Sequence, residues 1–140
     1  MIILDTNVLS ELMRPAPSRQ VIVWLADHAA SQFAVTTFTE AEIFYGLELL
    51  PSGKRRDRLL AAAEAMFAED FQGAVLAFDS EAARAFSRIA SDRRSCGRPI
   101  SQPDAQIAAI ARVHKACLAT RNVDDFDGCG IEVHNPWAVR

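Results

Sequence analysis

Cysteine is sparse and unpatterned in this chain. Cys96, Cys117 and Cys129 are an odd set without CxxC spacing. That excludes a disulfide framework and a zinc site built on close sequence spacing. Free, mostly buried thiols in a reducing cytoplasm are expected instead. No apolar stretch reaches the roughly 18 residues of a membrane span, so no membrane association is expected. The start of the chain has no basic segment leading into a long apolar run, and no signal peptide is expected. Positive charge is not in excess either. The formal net charge is −3 and the pI is about 5.6, which argues against capture of nucleic acid by the whole surface. A local basic rim remains compatible with that balance. His28, His114 and His134 are scattered without metal-ligand spacing and read as surface or helix-end residues. No Ser–His–Asp arrangement is legible. Gly128-Cys129-Gly130 reads as a turn, and nothing resembles a phosphate-cradling loop.

What remains is a chain of 140 residues, 50% apolar and 24% charged. Low-complexity runs, repeats and linkers are absent, so residues 1–140 read as one domain. A domain of this size buries roughly two-thirds of the surface its unfolded chain exposes, enough for a core without disulfides. Short apolar runs at Ile2–Leu4, Phe33–Val35, Val75–Phe78 and Cys117–Ala119 read as strands, with a fifth at an edge over Ile131–Val133. Between them lie helical patterns. Asn7–Met13 stops before Pro15, and Ser18 precedes the helical spacing of Val21, Trp24, Leu25 and His28. Thr39 opens a stripe of Ile43, Phe44, Leu47 and Leu50, and Lys54–Phe71 is alanine-rich. Asp79 and Ser101 precede two further helices. Strands alternating with helices predict an α/β fold, a three-layer α/β/α sandwich around a mostly parallel sheet. Such sheets bind ligands beyond the carboxyl ends of their strands, near a switch in strand order.

Several acids fall where that rule puts chemistry. Asp5 follows the first strand, Glu42 lies near the start of the helix after the second, and Asp104 opens the helix before the fourth. Asp124 and Asp125 follow the fourth strand. Each has a plainer role as a cap, a turn or a solvated loop residue. Thr39-x-x-Glu42 reads as a capping box, and Ser101-x-x-Asp104 is similar, with Pro103 suited to a first turn. Caps do not explain why Asp5, Glu42, Asp104 and Asp125 should all converge on one edge of a parallel sheet. Clustered carboxylates repel unless a cation intervenes. A hard divalent ion such as magnesium takes oxygen ligands and keeps several waters. Such a site suits hydrolysis of a phosphodiester.

Five ordered pieces carry a family likeness: DTNVLSE, TEAEIFYGL, ISQPDAQIAAIA, ATRNVDDF and a terminal NPW. Together they resemble a PIN-domain protein, nearest the VapC-type toxins with their FitB-like group. The resemblance spans essentially the whole chain. It implies a ribonuclease dependent on Mg2+ or Mn2+, acting as the toxin of a type II toxin–antitoxin pair. It implies that Asp5, Glu42 and Asp104 hold the metal, directly or through water, and that Thr6 positions a ligand or water. Some family members carry Asp where this chain has Asn122. Asp124 and Asp125 are the neighbouring candidates, Asp125 preferred because it directly precedes Phe126, while the amide oxygen of Asn122 could bond a metal-bound water. One-metal and two-metal chemistry both remain open. The expected products are 5′-phosphate and 3′-hydroxyl ends, from RNA that is single-stranded at the cleavage point.

The resemblance also implies partners. A VapB-like antitoxin, with a DNA-binding N-terminal part, would lay its C-terminal tail across the toxin and reach the acidic pocket with an Arg. Operator DNA would be bound only through that antitoxin. A homodimer and a higher assembly are expected, with apolar faces near Leu12 or Ile43–Leu50 as candidate contacts. Arg14, Arg19, Lys54, Arg55, Arg56, Arg93, Arg94 and Arg98 are candidate phosphate contacts, against the plainer reading of solvated charge. Two competing classes are a receiver-like phosphohydrolase and a catalytically idle PIN-like binding module. Against the first, Lys54 and Lys115 are the only lysines, and neither closely follows a strand.

Overall fold

The computed structural model describes residues 1–138. Among them the chain forms β1 (Ile2–Leu4), α1 (Thr6–Leu12), α2 (Arg19–Ala26), β2 (Phe33–Thr36), α3 (Thr37–Glu48) and α4 (Lys54–Ala65). Then follow β3 (Val75–Leu76), α5 (Ser80–Ser95), α6 (Gln102–Val113), β4 (Cys117–Ala119) and β5 (Val133–His134). The strands pair in the order β3-β2-β1-β4-β5, and every pairing is parallel.

Period-two alternation in β1 divides the core. Ile3 packs with Ala34, Leu118 and the inner faces of α5 and α6. Ile2 and Leu4 point the other way, into Val8, Leu9, Val21, Trp24, Ile43 and Leu47 from α1, α2 and α3. Both faces of the sheet are therefore buried, as the unbroken apolar strands require. The expected three-layer sandwich is what forms.

Several boundaries differ from the sequence reading. β3 ends at Leu76, short of the expected Phe78, and β5 begins at Val133. The helix expected to run to Phe71 closes its last turn as a π-helix over Met66–Asp70. Ser18 occupies the N-cap of α2 without a side-chain capping bond. The larger correction concerns α3. Its cap is Thr36, whose Oγ1 accepts from the Thr39 amide at 3.2 Å. Thr39 is therefore inside the helix, the expected Thr39–Glu42 capping box does not form, and Glu42 lies in the second turn. Asp79 and Ser101 do cap, accepting from the amides of Ala82 at 2.9 Å and Asp104 at 3.3 Å. Of the three thiols, Cys129 is buried, Cys117 intermediate and Cys96 exposed. The helix faces suggested for dimer contact are partly spent on the core: Ile43 and Leu47 are buried, and Leu12 packs against the same cluster.

Candidate active site

The strand order reverses between β1 and β4, the switch point of this sheet. Asp5 sits there. Its amide donates to the Ala119 carbonyl across the two strand ends at 2.9 Å, and it is also the N-cap of α1. One carboxylate oxygen, Oδ1, accepts from the Thr6 amide at 2.8 Å, and Oδ2 accepts from Thr120 Oγ1 at 2.8 Å. The turn-former and the candidate ligand are thus the same residue in two roles.

Thr120 is fully buried and uses its whole hydrogen-bonding capacity. Its hydroxyl donates to Asp5 and accepts from Asn7 Nδ2 at 3.3 Å and the Asn122 amide at 3.2 Å. Asn7 Oδ1 in turn accepts from the Arg121 amide at 3.4 Å. This network ties the end of β4 to the start of α1. A second link joins α1 to α3: Thr6 Oγ1 donates to Thr39 Oγ1 at 3.0 Å. Glu42 follows Thr39 by three positions and shares its helix face.

Asp5, Thr6, Glu42, Asp104 and Asn122 line one cavity of about 580 Å³, with Arg14, Arg121 and Trp137 also on its wall. Asp124 and Asp125 lie in an adjoining hollow of about 420 Å³ that shares Arg121 and Asn122 with the first. The structure therefore brings Asp5, Glu42 and Asp104 together, with Asn122 beside them and Asp125 one step away.

The electrostatics follow from that crowding. Burial pushes the Asp5 carboxyl above its usual range, against the opposing pull of the Thr120 hydroxyl and Thr6 amide, and Asp104 pushes it further up. Glu42 is exposed as a whole residue, yet partial desolvation raises its pKa, and the charges of Asp5 and Asp104 add to the rise against the opposing pull of the nearby Thr6 hydroxyl. Asp104 is raised by burial first and further by Asp125, while the Ser101 hydrogen bond and the charge of Arg93 pull it down. Among the described residues, no Lys, Arg or His pairs with Asp5, Glu42 or Asp104. Glu11 also faces the cavity but is already engaged: it accepts from the Ser18 amide at 2.9 Å and pairs with Arg14 at 3.2 Å. The amide bond leads the causes that hold its pKa low. These carboxylates repel one another around one cavity and offer oxygen ligands only, the donor type a hard divalent cation takes, although their oxygens do not all lie within 4.8 Å of one another.

Sequence reasoning missed Thr120, Asn7 and Arg121, and it used Trp137 only as part of a motif. The Arg121 guanidinium lies over the Trp137 ring, 4.7 Å from its centroid. Of the basic residues proposed to contact phosphate, Arg93 is buried. It donates to the carbonyls of Arg98, Asp125 and Asp127 at 2.7, 2.8 and 3.0 Å. Arg56 and Arg98 pair with Glu48 and Asp127. Neither lysine lines the cavity, which removes support from the receiver-like reading.

Known proteins share this architecture. The VapC ribonuclease Y4jK of Sinorhizobium fredii is 35% identical over 137 residues, covering 98% of each chain. Toxin FitB of Neisseria gonorrhoeae is 36% identical over 137 residues, covering 98% of this chain and 99% of its own. The crystal structure of FitAcB from Neisseria gonorrhoeae superposes with a TM-score of 0.94 at 35% identity, over 99% of this chain and 100% of that one. The PIN domain family itself matches residues 2–128. The chain belongs to the PIN domain family.

Proposed function

We propose that this protein is a divalent-metal-dependent endoribonuclease, the toxin of a type II toxin–antitoxin pair that works in the cytoplasm. The observation that carries this reading is the cavity at the switch point, where Asp5, Glu42 and Asp104 converge without a cationic partner. The names of full-length relatives, a VapC ribonuclease and toxin FitB, support the substrate class and the toxin role. Asp5, Glu42 and Asp104 would hold Mg2+ or Mn2+. When bound, the ion supplies positive charge that activates water and neutralises the departing oxygen.

The chain's own residues do the rest. Thr120 and the Thr6 amide fix both oxygens of Asp5, so its orientation is set before any ligand arrives. Asn122 offers an amide oxygen beside the acids, and Asp125 supplies further negative charge toward Asp104. The Arg121 guanidinium, stacked on Trp137, offers a cation and a planar surface at the cavity wall, suited to a phosphate and a base. Water attacks phosphorus as the bond to the 3′ oxygen breaks. The products are a 5′-phosphate and a 3′-hydroxyl, the proton lost from water being taken up at the 3′ oxygen.

An apolar groove of about 620 Å³ abuts the acidic cavity and shares Ser10, Arg14 and Glu42 with it; Met13, Ile43, Leu47 and Leu59 line its floor. This groove fits the tail of an antitoxin, with a basic side chain reaching the acids next door. Structures of FitAB bound to a DNA fragment and of FitAcB match this chain at TM-scores of 0.95 and 0.94, which supports a two-component assembly in which the partner meets operator DNA. Tyr45 and Leu49 project from the outer side of α3 and suit a homodimer contact. No described helix is long and apolar enough to cross a membrane.

Asp104→Asn tests the proposal. Purified protein should cleave unstructured RNA with Mg2+ or Mn2+ and lose that activity in chelator. The variant should lose at least about a hundredfold in kcat/KM at saturating metal, in line with the effect of removing a transition-state charge partner. Full activity in the variant contradicts the assignment. Absence of metal-stimulated cleavage in the wild type would instead favour an idle binding module.

A further inference from the structure

A second group of ligand-type side chains sits on the β4–β5 edge, and none of its members lines the acidic cavity. Cys117 Sγ donates to Glu132 Oε2 at 3.4 Å. His134 Nε2 lies 3.0 Å from the other oxygen, Glu132 Oε1. One ligand atom from each residue falls within 4.8 Å of the other two. Parallel pairing creates the group. Leu118 aligns with Val133 and Ala119 with His134, so Cys117 stands opposite Glu132, and the three side chains share one face of the sheet. Ladder bonds hold them there: the Leu118 amide donates to the Glu132 carbonyl and the Thr120 amide to the His134 carbonyl, both at 2.9 Å.

The three ligand atoms lie within 4.8 Å of one another, close enough for small side-chain rotations to reach the spacing of a tetrahedral centre. Ligand bonds of about 2.0–2.3 Å at tetrahedral angles put neighbouring donor atoms about 3.3–3.8 Å apart. A thiol, an imidazole and one carboxylate form a borderline-soft set, unlike the all-oxygen cavity, and they select against magnesium. We propose that Cys117, Glu132 and His134 bind a zinc-class divalent cation through three protein ligands, leaving a fourth position open to water. Both Glu132 and His134 are solvent-accessible, with side-chain exposures of 69% and 41%, so an ion can enter. Bound there, it braces the two-residue strand β5, three residues before Trp137 at the cavity wall. The group is invisible to sequence spacing because 15 residues separate Cys117 from Glu132.

The test uses tag-free full-length protein in millimolar Mg2+, with Co2+ as the probe. One equivalent should bind and develop thiolate-to-cobalt charge-transfer absorption. Cys117→Ala should abolish that absorption. Cys96→Ser and the Asp5→Asn/Asp104→Asn double variant should retain it, which separates this site from the acidic one. His134→Gln, at a more exposed position, should weaken Co2+ binding by roughly tenfold or more with an unchanged far-UV circular dichroism spectrum. Three outcomes overturn the proposal: no thiolate charge-transfer band, a band that survives Cys117→Ala, or Co2+ affinity unmoved by His134→Gln.

Discussion

Thr120→Val is the most informative perturbation of the site that leaves every candidate ligand in place. The exchange is nearly isosteric, so packing at this fully buried position is largely preserved. It removes the hydroxyl that donates to Asp5 Oδ2 at 2.8 Å and leaves the Asn122 amide and Asn7 Nδ2 without their acceptor. A hydrogen bond to a charged group contributes about 1.5–3 kcal/mol. At about 1.4 kcal/mol per tenfold, its loss corresponds to roughly 10- to 150-fold in an equilibrium that needs Asp5 ionised and oriented. That range overlaps the effect of outer-shell substitutions on metal affinity, about 10- to 100-fold. RNA cleavage measured across a Mg2+ titration should therefore show the half-saturating metal concentration rising by at least about tenfold. The Thr120 bond lowers the Asp5 pKa, so its loss should also move the acid limb of the pH–rate profile to higher pH. Thr120→Ser keeps the hydroxyl and should restore both. A folded Thr120→Val protein with unaltered metal dependence and pH profile refutes the positioning role.

Other perturbations probe separate links. Asp5→Asn should lessen the fall in stability of the metal-free protein with rising pH. The folded-state pKa of Asp5 is raised by burial, so the folded state holds its proton more tightly and loses stability as pH rises through that raised value; thermal melting in chelator across a pH series checks the sign, and a fall as steep in the variant as in the wild type contradicts it. Arg93→Met should lower stability by about 3 kcal/mol, because three carbonyls of the 98–127 region lose a charged donor at a buried site; a shift in the urea midpoint without a change in slope is the readout. Trp137→Ala should raise KM for RNA by roughly tenfold, the scale of one base–aromatic stack, while leaving the metal dependence of kcat unchanged.

The layers of this fold were legible because both faces of the sheet are covered, so strands such as Ile2–Leu4 read as unbroken apolar runs. Asp5 was legible for the same reason, since a carboxylate directly after such a run must lie at a strand end. The start of α3 was not. The segment TTFT offers hydroxyls at Thr36, Thr37 and Thr39, and the T-x-x-E pattern fits both Thr37–Glu40 and Thr39–Glu42 but not Thr36. Pairing of β2 as far as Thr36 decides in favour of the earlier cap. That shift frees Thr39 to accept from Thr6 and places Glu42 deeper in the helix. Thr120 carries no local signal, because a threonine after a strand is ordinary. Its role comes from a partner 115 positions away. Arg93 was misread as surface charge for a similar reason: the carbonyls it satisfies at Asp125 and Asp127 are distant in sequence.

Asp5, Glu42 and Asp104 are proposed to share one divalent ion. Mn2+ binding to the full-length protein, followed by electron paramagnetic resonance of the free ion, tests it most directly. Saturable binding is expected, weakened by at least about tenfold in each of Asp5→Asn, Glu42→Gln and Asp104→Asn. Binding that is equally tight in all three variants would contradict it.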